Sequence, residues 1–244
     1  MKQYGLIGYP LSHSFSQRFF TDKFSKEQIE GCVYDNFPLE NIDVLREVLA
    51  RYPNLAGLNV TIPYKEKVIA YLDHQSDVVK KIGACNCIKF VQGKLHGYNT
   101  DVTGFEESLR PLLAAHHQKA LVLGTGGAAK AVHFVLEKLG IIFLEVSRTP
   151  FTGRQISYED LSTEVIAQHS LIINTTPVGT YPKVDECPPL PYGLFTSQHY
   201  LFDLVYNPAK TLFLQKGEER GAVIKNGADM LVIQAEESWR IWNS

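Results

Sequence analysis

The spacing of apolar residues predicts alternating strands and helices along the whole chain. An apolar-rich run over residues 2–9 (KQYGLIGY) predicts a strand that stops at Pro10. From Ser14 or Ser16 to about Lys26, Phe19, Phe20 and Phe24 fall on one side of a predicted helix. A second strand follows at 32–37, then a helix near 41–51 striped by Val44, Leu45 and Val48. Residues 55–61 (LAGLNVT) read as a buried strand, and Pro63 is expected to open a helix through Val68 and Leu72, since proline suits a first helical turn. Residues 86–91 and 94–98 flank Gln92-Gly93, the pattern of a hairpin.

The rhythm then becomes more regular. A helix is predicted at 103–116, then strands at 119–123, 141–146, 170–174, 200–203 and 222–225, with helices at 128–139, 158–167 and near 211–217 between them. Repeated strand–helix units build a parallel doubly wound sheet. A last helix at 229–242 carries the stripe Leu231, Ala235, Trp239 and Trp242. The fold class is therefore α/β: an N-terminal mixed-sheet domain and a Rossmann-type parallel-sheet domain, with a cleft expected between them. The expected boundaries are 1–101 joined by the final helix 229–244, and 102–228.

Composition narrows the function classes. Hydrophobic residues make up 45% of 244 and charged residues 20%, ordinary for a globular protein. A net charge of -2 gives no electrostatic reason to expect nucleic acid or an anionic membrane as partner. No run approaches ~18 continuous apolar residues and the N-terminus lacks a signal-peptide pattern, so a cytoplasmic protein is expected. Without an export signal, Cys32, Cys85, Cys87 and Cys187 should be reduced. Cys85-Asn-Cys87 lacks the spacing and further ligands of a zinc site, so no metal is expected.

Residues 121–130 (LVLGTGGAAK) follow a strand and open a helix, which is the context that makes a glycine pattern specific for a dinucleotide. Gly124 allows the tight turn, Gly126 lets backbone approach a pyrophosphate, and the small Ala129 permits close helix–sheet packing. Thr125, Gly127 and Ala128 complete the turn and the helix N-terminus, whose free N–H groups favour phosphate. At the end of the next strand two signals compete. Glu145 stands where an acidic residue would hold a ribose 2′-OH, whereas Ser147-Arg148-Thr149 suits a 2′-phosphate. The guanidinium and hydroxyls favour NADP over NAD.

Residues 59–65 (NVTIPYK) and Asn99-Thr100-Asp101 carry the candidate chemistry: one Lys and one Asp among small polar residues. Asn59 and Thr61 alternate along one strand and would face the same way. An Asp beside Lys65 favours the ammonium form, a cation able to stabilise an alkoxide and to give it a proton. Ser14 and Ser16 read as helix caps or as ligands for a carboxylate, and His13 as a structural hydrogen-bonder.

These segments together resemble the shikimate dehydrogenase family, and the match runs from Gly8 to Trp242. Gly8-Tyr-Pro-Leu-Ser-His-Ser14-Phe-Ser16 is similar to the family's opening motif, which makes Ser14 and Ser16 carboxylate ligands. The segments 59–65 and 97–101 resemble the catalytic motifs, which makes Lys65 and Asp101 the catalytic pair and Asn59 and Thr61 part of the substrate wall. Asn86 in Gly83-Ala-Cys-Asn86, Tyr206 in 203–211 and Gln234 in 227–235 match further substrate-binding segments. The resemblance also implies cofactor contacts at Thr176, Leu204 and Gly227. Ser147, Thr152 and Thr180 stand where the family usually has Asn, a basic residue and Met.

The implied activity is reversible, NADP-dependent reduction of 3-dehydroshikimate to shikimate in aromatic amino-acid biosynthesis, by a monomer or homodimer without a metal. The alternatives are an NAD-dependent quinate or dual quinate/shikimate dehydrogenase, and a non-catalytic regulatory binding protein of the same fold.

Overall fold

The computed structural model describes residues 1–11, 14–151 and 153–244; Ser12, His13 and Thr152 lie outside the described residues. In chain order the elements are β1 (Lys2–Gly8), α1 (Phe15–Lys26), β2 (Cys32–Pro38), α2 (Leu45–Arg51), β3 (Leu55–Val60), β4 (His74–Gln75), α3 (Asp77–Ile82), β5 (Cys87–Val91), β6 (Lys94–Tyr98) and α4 (Asp101–Leu109). Then come β7 (Lys119–Leu123), α5 (Gly127–Lys138), β8 (Ile142–Val146), β9 (Gln155–Ile156), α6 (Thr163–Gln168), β10 (Leu171–Asn174), β11 (Tyr200–Asp203), α7 (Leu212–Glu218), β12 (Val223–Lys225) and α8 (Ala228–Asn243). The chain divides into two compact units, Met1–Thr103 with Leu231–Ser244, and Gly104–Met230. Among the described residues no helix is long and apolar enough to cross a membrane.

The first unit is built on a mixed six-stranded sheet in the order β2-β1-β3-β5-β6-β4. β1 is parallel to β2 and β3, while β5 runs antiparallel to β3 and β6. Alternation along β1 sends Ile7 into one core, with Leu58, Val60, Val68 and Ile88, and Tyr4 and Leu6 into the other. The second core holds the C-terminal helix. Trp242 stacks on Tyr4 with centroids 4.8 Å apart and donates its indole N–H to Ile88 O at 3.0 Å. Gly57 makes this seat possible, because a Cβ there would lie 2.3 Å from the indole nitrogen.

The second unit is a parallel sheet in the order β12-β11-β10-β7-β8-β9. β10 and β11 are buried along their full length, the continuous apolar runs of a sheet covered on both faces. The strand order reverses between β7 and β10, so the loops leaving their carboxyl ends flank the position where such sheets bind ligands.

Several sequence expectations shift. The helix expected from Pro63 is a turn followed by a 3₁₀ helix, Lys67–Tyr71. Tertiary bonding replaces helical bonding there, since Lys65 C=O accepts Cys85 N–H at 2.7 Å. The helix expected at 103–116 begins at Asp101 and ends at Leu109, where Pro111 removes a donor and disfavours α geometry at Arg110. The helix expected at 158–167 is split, because the Ser162 hydroxyl accepts from Val165 N–H and starts α6 afresh. α3, absent from the sequence reading, carries its own signals: Ser76 as N-cap and Gly83 in the left-handed C-cap conformation at φ 64°.

Candidate active site

In the first unit Lys65 Nζ lies 2.7 Å from Asp101 Oδ2, with side chains 21% and 13% exposed. Each is fixed from its own segment. Tyr64, buried beside Lys65, donates its hydroxyl to Leu39 O, and its N–H bonds Thr61 O. On the other side, Asn99 donates to Ala84 O at 3.0 Å and accepts from Val102 N–H at the start of α4. Asp101 thus occupies a first helical turn, where the helix dipole favours a carboxylate. The pair is half-buried: desolvated enough to hold together, open enough to meet a ligand.

Behind it runs a hydroxyl–amide network. Thr100 N–H donates to Asn86 Oδ1 at 2.6 Å, and Asn86 Nδ2 donates to Thr100 Oγ1 at 3.0 Å. Thr100 Oγ1 also lies 3.4 Å from Gln234 Oε1 and 3.2 Å from Ser238 Oγ. Asn59 donates to Ser238 Oγ at 2.9 Å and to Asn86 O at 3.3 Å, and accepts from Tyr34 OH at 2.9 Å. Burial pushes the Tyr34 phenol well above its ordinary range, and Ser16 hydrogen-bonds it. Asn59, Asn86 and Gln234 are therefore brought together with Thr100, Ser238 and Tyr34.

Sequence reasoning missed Ser238 and Tyr34 as parts of this network. Ser238, four residues beyond Gln234 on one helix face, was the only available signal. Ser14 caps α1, its hydroxyl oxygen accepting Gln17 N–H at 3.3 Å. The Thr61 hydroxyl has no hydrogen-bond partner among the described residues. Cys85 is sealed in the core with its thiol pushed up to about 12 by burial, unfit for redox or metal chemistry at neutral pH. Among the described residues no three His, Cys, Asp or Glu side chains gather as metal ligands.

In the second unit Gly124 takes φ 98°, and a Cβ there would meet Thr176 Cγ2 at 2.9 Å and Thr175 Oγ1 at 3.0 Å. The loops after β7 and β10 thus meet at the strand-order reversal. Gly126 caps α5 without a side chain, and a Cβ built on it meets nothing within 4 Å. Gly127 and Ala128 lie in the helix's first turn, and Ala129 and Ala131 are buried beneath it. This open, side-chain-free helix N-terminus fits a pyrophosphate. Thr176 is held by Asn174 Oδ1, which accepts its N–H at 3.0 Å and its hydroxyl at 2.6 Å. Gly227 lets the chain pass against Leu204, whose carbonyl would lie 2.2 Å from a Cβ.

Arg148 is exposed and has no ion-pair partner among the described residues, while Ser147 and Thr149 close a tight loop on each other at 3.2 Å. Glu145 is already engaged: Oε2 accepts from Gln155 Nε2 at 2.8 Å and Oε1 lies 3.7 Å from His133 Nδ1. A free guanidinium and an occupied carboxylate fit a 2′-phosphate rather than a bare ribose. At the end of β11, Asp203 is fully buried and accepts from Asn174, Val205 N–H and Thr211; burial pushes its carboxyl up to about 6. Tyr206, just beyond, is 40% exposed.

A mixed-sheet unit bearing a Lys–Asp pair and a parallel-sheet unit bearing an open glycine turn define the class of two-unit α/β dinucleotide-dependent oxidoreductases. Comparison with known proteins narrows this. Residues 6–88 match the model of the shikimate dehydrogenase substrate binding domain. The shikimate dehydrogenase (NADP(+)) of Clostridium beijerinckii is 39% identical over 99% of this chain and 92% of its own. Among solved structures, a chorismate mutase/shikimate 5-dehydrogenase fusion protein from Clostridium acetobutylicum superposes with TM-score 0.89 at 36% identity, covering 100% of this chain and 91% of the other. Shikimate 5-dehydrogenase from Thermus thermophilus, solved with NADP(H) and shikimate, gives TM-score 0.86 at 31% identity, covering 99% and 93%. The chain belongs to the shikimate dehydrogenase family.

Proposed function

We propose that the protein catalyses the reversible, NADP-dependent interconversion of 3-dehydroshikimate and shikimate. The observation that carries this reading is the half-buried Lys65–Asp101 pair at 2.7 Å. NADPH, when bound, supplies the hydride for the ring carbonyl. As hydride arrives at carbon, negative charge develops on the carbonyl oxygen, and the Lys65 ammonium stabilises that charge and delivers a proton to it. Asp101 orients the ammonium and takes part in returning the proton in the reverse direction.

Thr61 offers its hydroxyl to the substrate, and Ser14 and Ser16 receive the carboxylate. Asn86 and Gln234 bind ring hydroxyls, and Tyr206 is a further substrate ligand. Asn59 acts through Tyr34, Asn86 and Ser238, since these take its donors and its carbonyl. In the second unit residues 124–129 receive the pyrophosphate and residues 147–149 the 2′-phosphate; Thr176, Leu204 and Gly227 line the rest of the cofactor site. Fixed side chains of this kind contribute through orientation as well as charge.

The test is absorbance at the nicotinamide band with shikimate or quinate, each supplied with NADP or NAD. Turnover is expected with shikimate and NADP. Turnover confined to quinate with NAD would replace this reading with that of a quinate dehydrogenase, and none in any combination would leave a binding protein.

A further inference from the structure

Gln155 occupies a position between two features that bear on the cofactor. It begins β9, a two-residue strand paired in parallel with β8, with Gln155 opposite Glu145 and Ile156 opposite Val146. Its side-chain amide is used at both ends. Nε2 donates to Glu145 Oε2 at 2.8 Å, and Oε1 accepts the backbone N–H of Phe151 at 2.7 Å. The loop between these contacts carries Ser147, Arg148 and Thr149. Because the ladder continues through Ser147 N–H to Ile156 O at 2.9 Å, Glu145 and Ser147 lie two positions apart on an extended segment. Such residues share a face with their Cβ atoms roughly 7 Å apart. A glutamate carboxylate is long enough to close most of that gap.

Each oxygen of the Glu145 carboxylate has a neighbour, Gln155 at Oε2 and His133 at Oε1. His133 Nδ1 stands 3.7 Å from Oε1, and the His133 ring stacks on Phe143 at 4.6 Å. Burial lowers the tendency of His133 to take up a proton, so the neutral ring contributes packing more than charge. The one direct hydrogen bond to this carboxylate among the described residues is the one from Gln155.

We propose that Gln155 is a specificity-determining positioning residue for the cofactor: its amide holds the Glu145 carboxylate away from the 2′-phosphate and anchors the loop that presents Arg148. This rests on the NADP reading given above. A carboxylate released toward Ser147 would repel a doubly charged phosphate while accepting a hydrogen bond from a ribose 2′-OH, so release penalises NADPH and spares NADH. The loop anchor acts in the same direction, because a slackened loop loses the guanidinium that only the phosphate uses.

The experiment measures dissociation constants of NADPH and NADH by nicotinamide fluorescence, with 2′,5′-ADP as a probe of the phosphate alone, together with KM and kcat. It compares the unaltered protein, Gln155→Ala, Gln155→Glu and Gln155→Ala combined with Glu145→Gln. Gln155→Ala should weaken NADPH and 2′,5′-ADP by about tenfold or more and NADH by less than about threefold, with KM rather than kcat carrying the change. Gln155→Glu, which keeps the size and adds charge, should do at least as much and stands in if the alanine variant folds poorly. Neutralising Glu145 in the Gln155→Ala background should recover most of the lost NADPH affinity, which repair of a merely structural defect would not do. Equal losses for both cofactors, unchanged affinities, or no recovery in the double variant would overturn the proposal. Failure of the unaltered protein to bind NADPH would instead overturn the cofactor reading beneath it.

Discussion

Ser238 Oγ, on α8, accepts a hydrogen bond from Asn59 Nδ2 at 2.9 Å, although the two residues are 179 positions apart in sequence. Ser238 in turn donates to Gln234 O and lies 3.2 Å from Thr100 Oγ1, so one hydroxyl ties the end of β3 and the segment before α4 to the last helix. Ser238→Ala would remove the acceptor for a buried amide donor, a loss of about 1–3 kcal/mol. Urea unfolding should show that loss, and the KM for shikimate should rise severalfold with a smaller change in kcat, because Thr100, the shared partner of Asn86 and Gln234, loses the Ser238 hydroxyl beside it. Unaltered stability and KM together would remove Ser238 from the positioning network.

Lys65→Ala should lower kcat by about 10²-fold or more, the scale of positioned proton transfer, with a smaller effect on KM. Asp101→Asn removes the charge that orients the ammonium and should fall in the same range. Because the two side chains act as one unit at 2.7 Å, the double variant should be little worse than either single variant. Steady-state rates with shikimate and NADP decide this; near-normal turnover of Lys65→Ala would take Lys65 out of the chemistry.

What the sequence made legible follows the range of the forces involved. The turn at residues 124–129 could be read because a glycine needed at φ 98°, a bare helix start and buried alanines are all local demands. The hairpin at Gln92-Gly93 was legible for the same reason, both residues taking positive φ, at 52° and 78°. Lys65 was legible as a residue type in a polar setting, but its helix was misplaced, because the Cys85 N–H that claims its carbonyl arrives from another segment. The Tyr34–Asn59–Ser238 chain leaves no periodic trace, since its members meet only once the sheet and α8 have packed. Glu145 illustrates the same limit. Its position suggested a ribose ligand, and only the bond from Gln155 shows its carboxylate to be occupied.

Arg148→Ala should weaken NADPH binding far more than NADH binding. The guanidinium is exposed and without an ion-pair partner among the described residues, so its removal costs little folding stability and leaves the phosphate unmatched. A charge-assisted hydrogen bond of this kind is worth about 1.5–3 kcal/mol, which corresponds to a roughly ten- to hundredfold rise in the NADPH dissociation constant. Fluorescence titration with both cofactors checks it, and parallel losses would argue against 2′-phosphate recognition at this loop.

Asp203 makes the stability of the second unit depend on pH in a stated direction. Burial raises its carboxyl from 3.8 to about 6, against the opposing pull of bonds from Thr211, Val205 N–H and Asn174. The folded carboxyl therefore holds its proton more tightly than the unfolded one. Its contribution to stability is fully present below the unfolded value of 3.8 and is lost as pH rises through about 6. Asp203→Asn keeps an oxygen for the Asn174 and Val205 donors and places an N–H opposite Thr211, whose hydroxyl can accept it. The variant carries no such titration. Its stability relative to the unaltered protein should therefore rise between about pH 4.5 and pH 7.5, by up to roughly 2 kcal/mol. Taking the difference between the two proteins cancels the titration of every other carboxylate. Urea midpoints across that range measure it directly, and a difference independent of pH would show that Asp203 is ionised in the folded protein at its ordinary value.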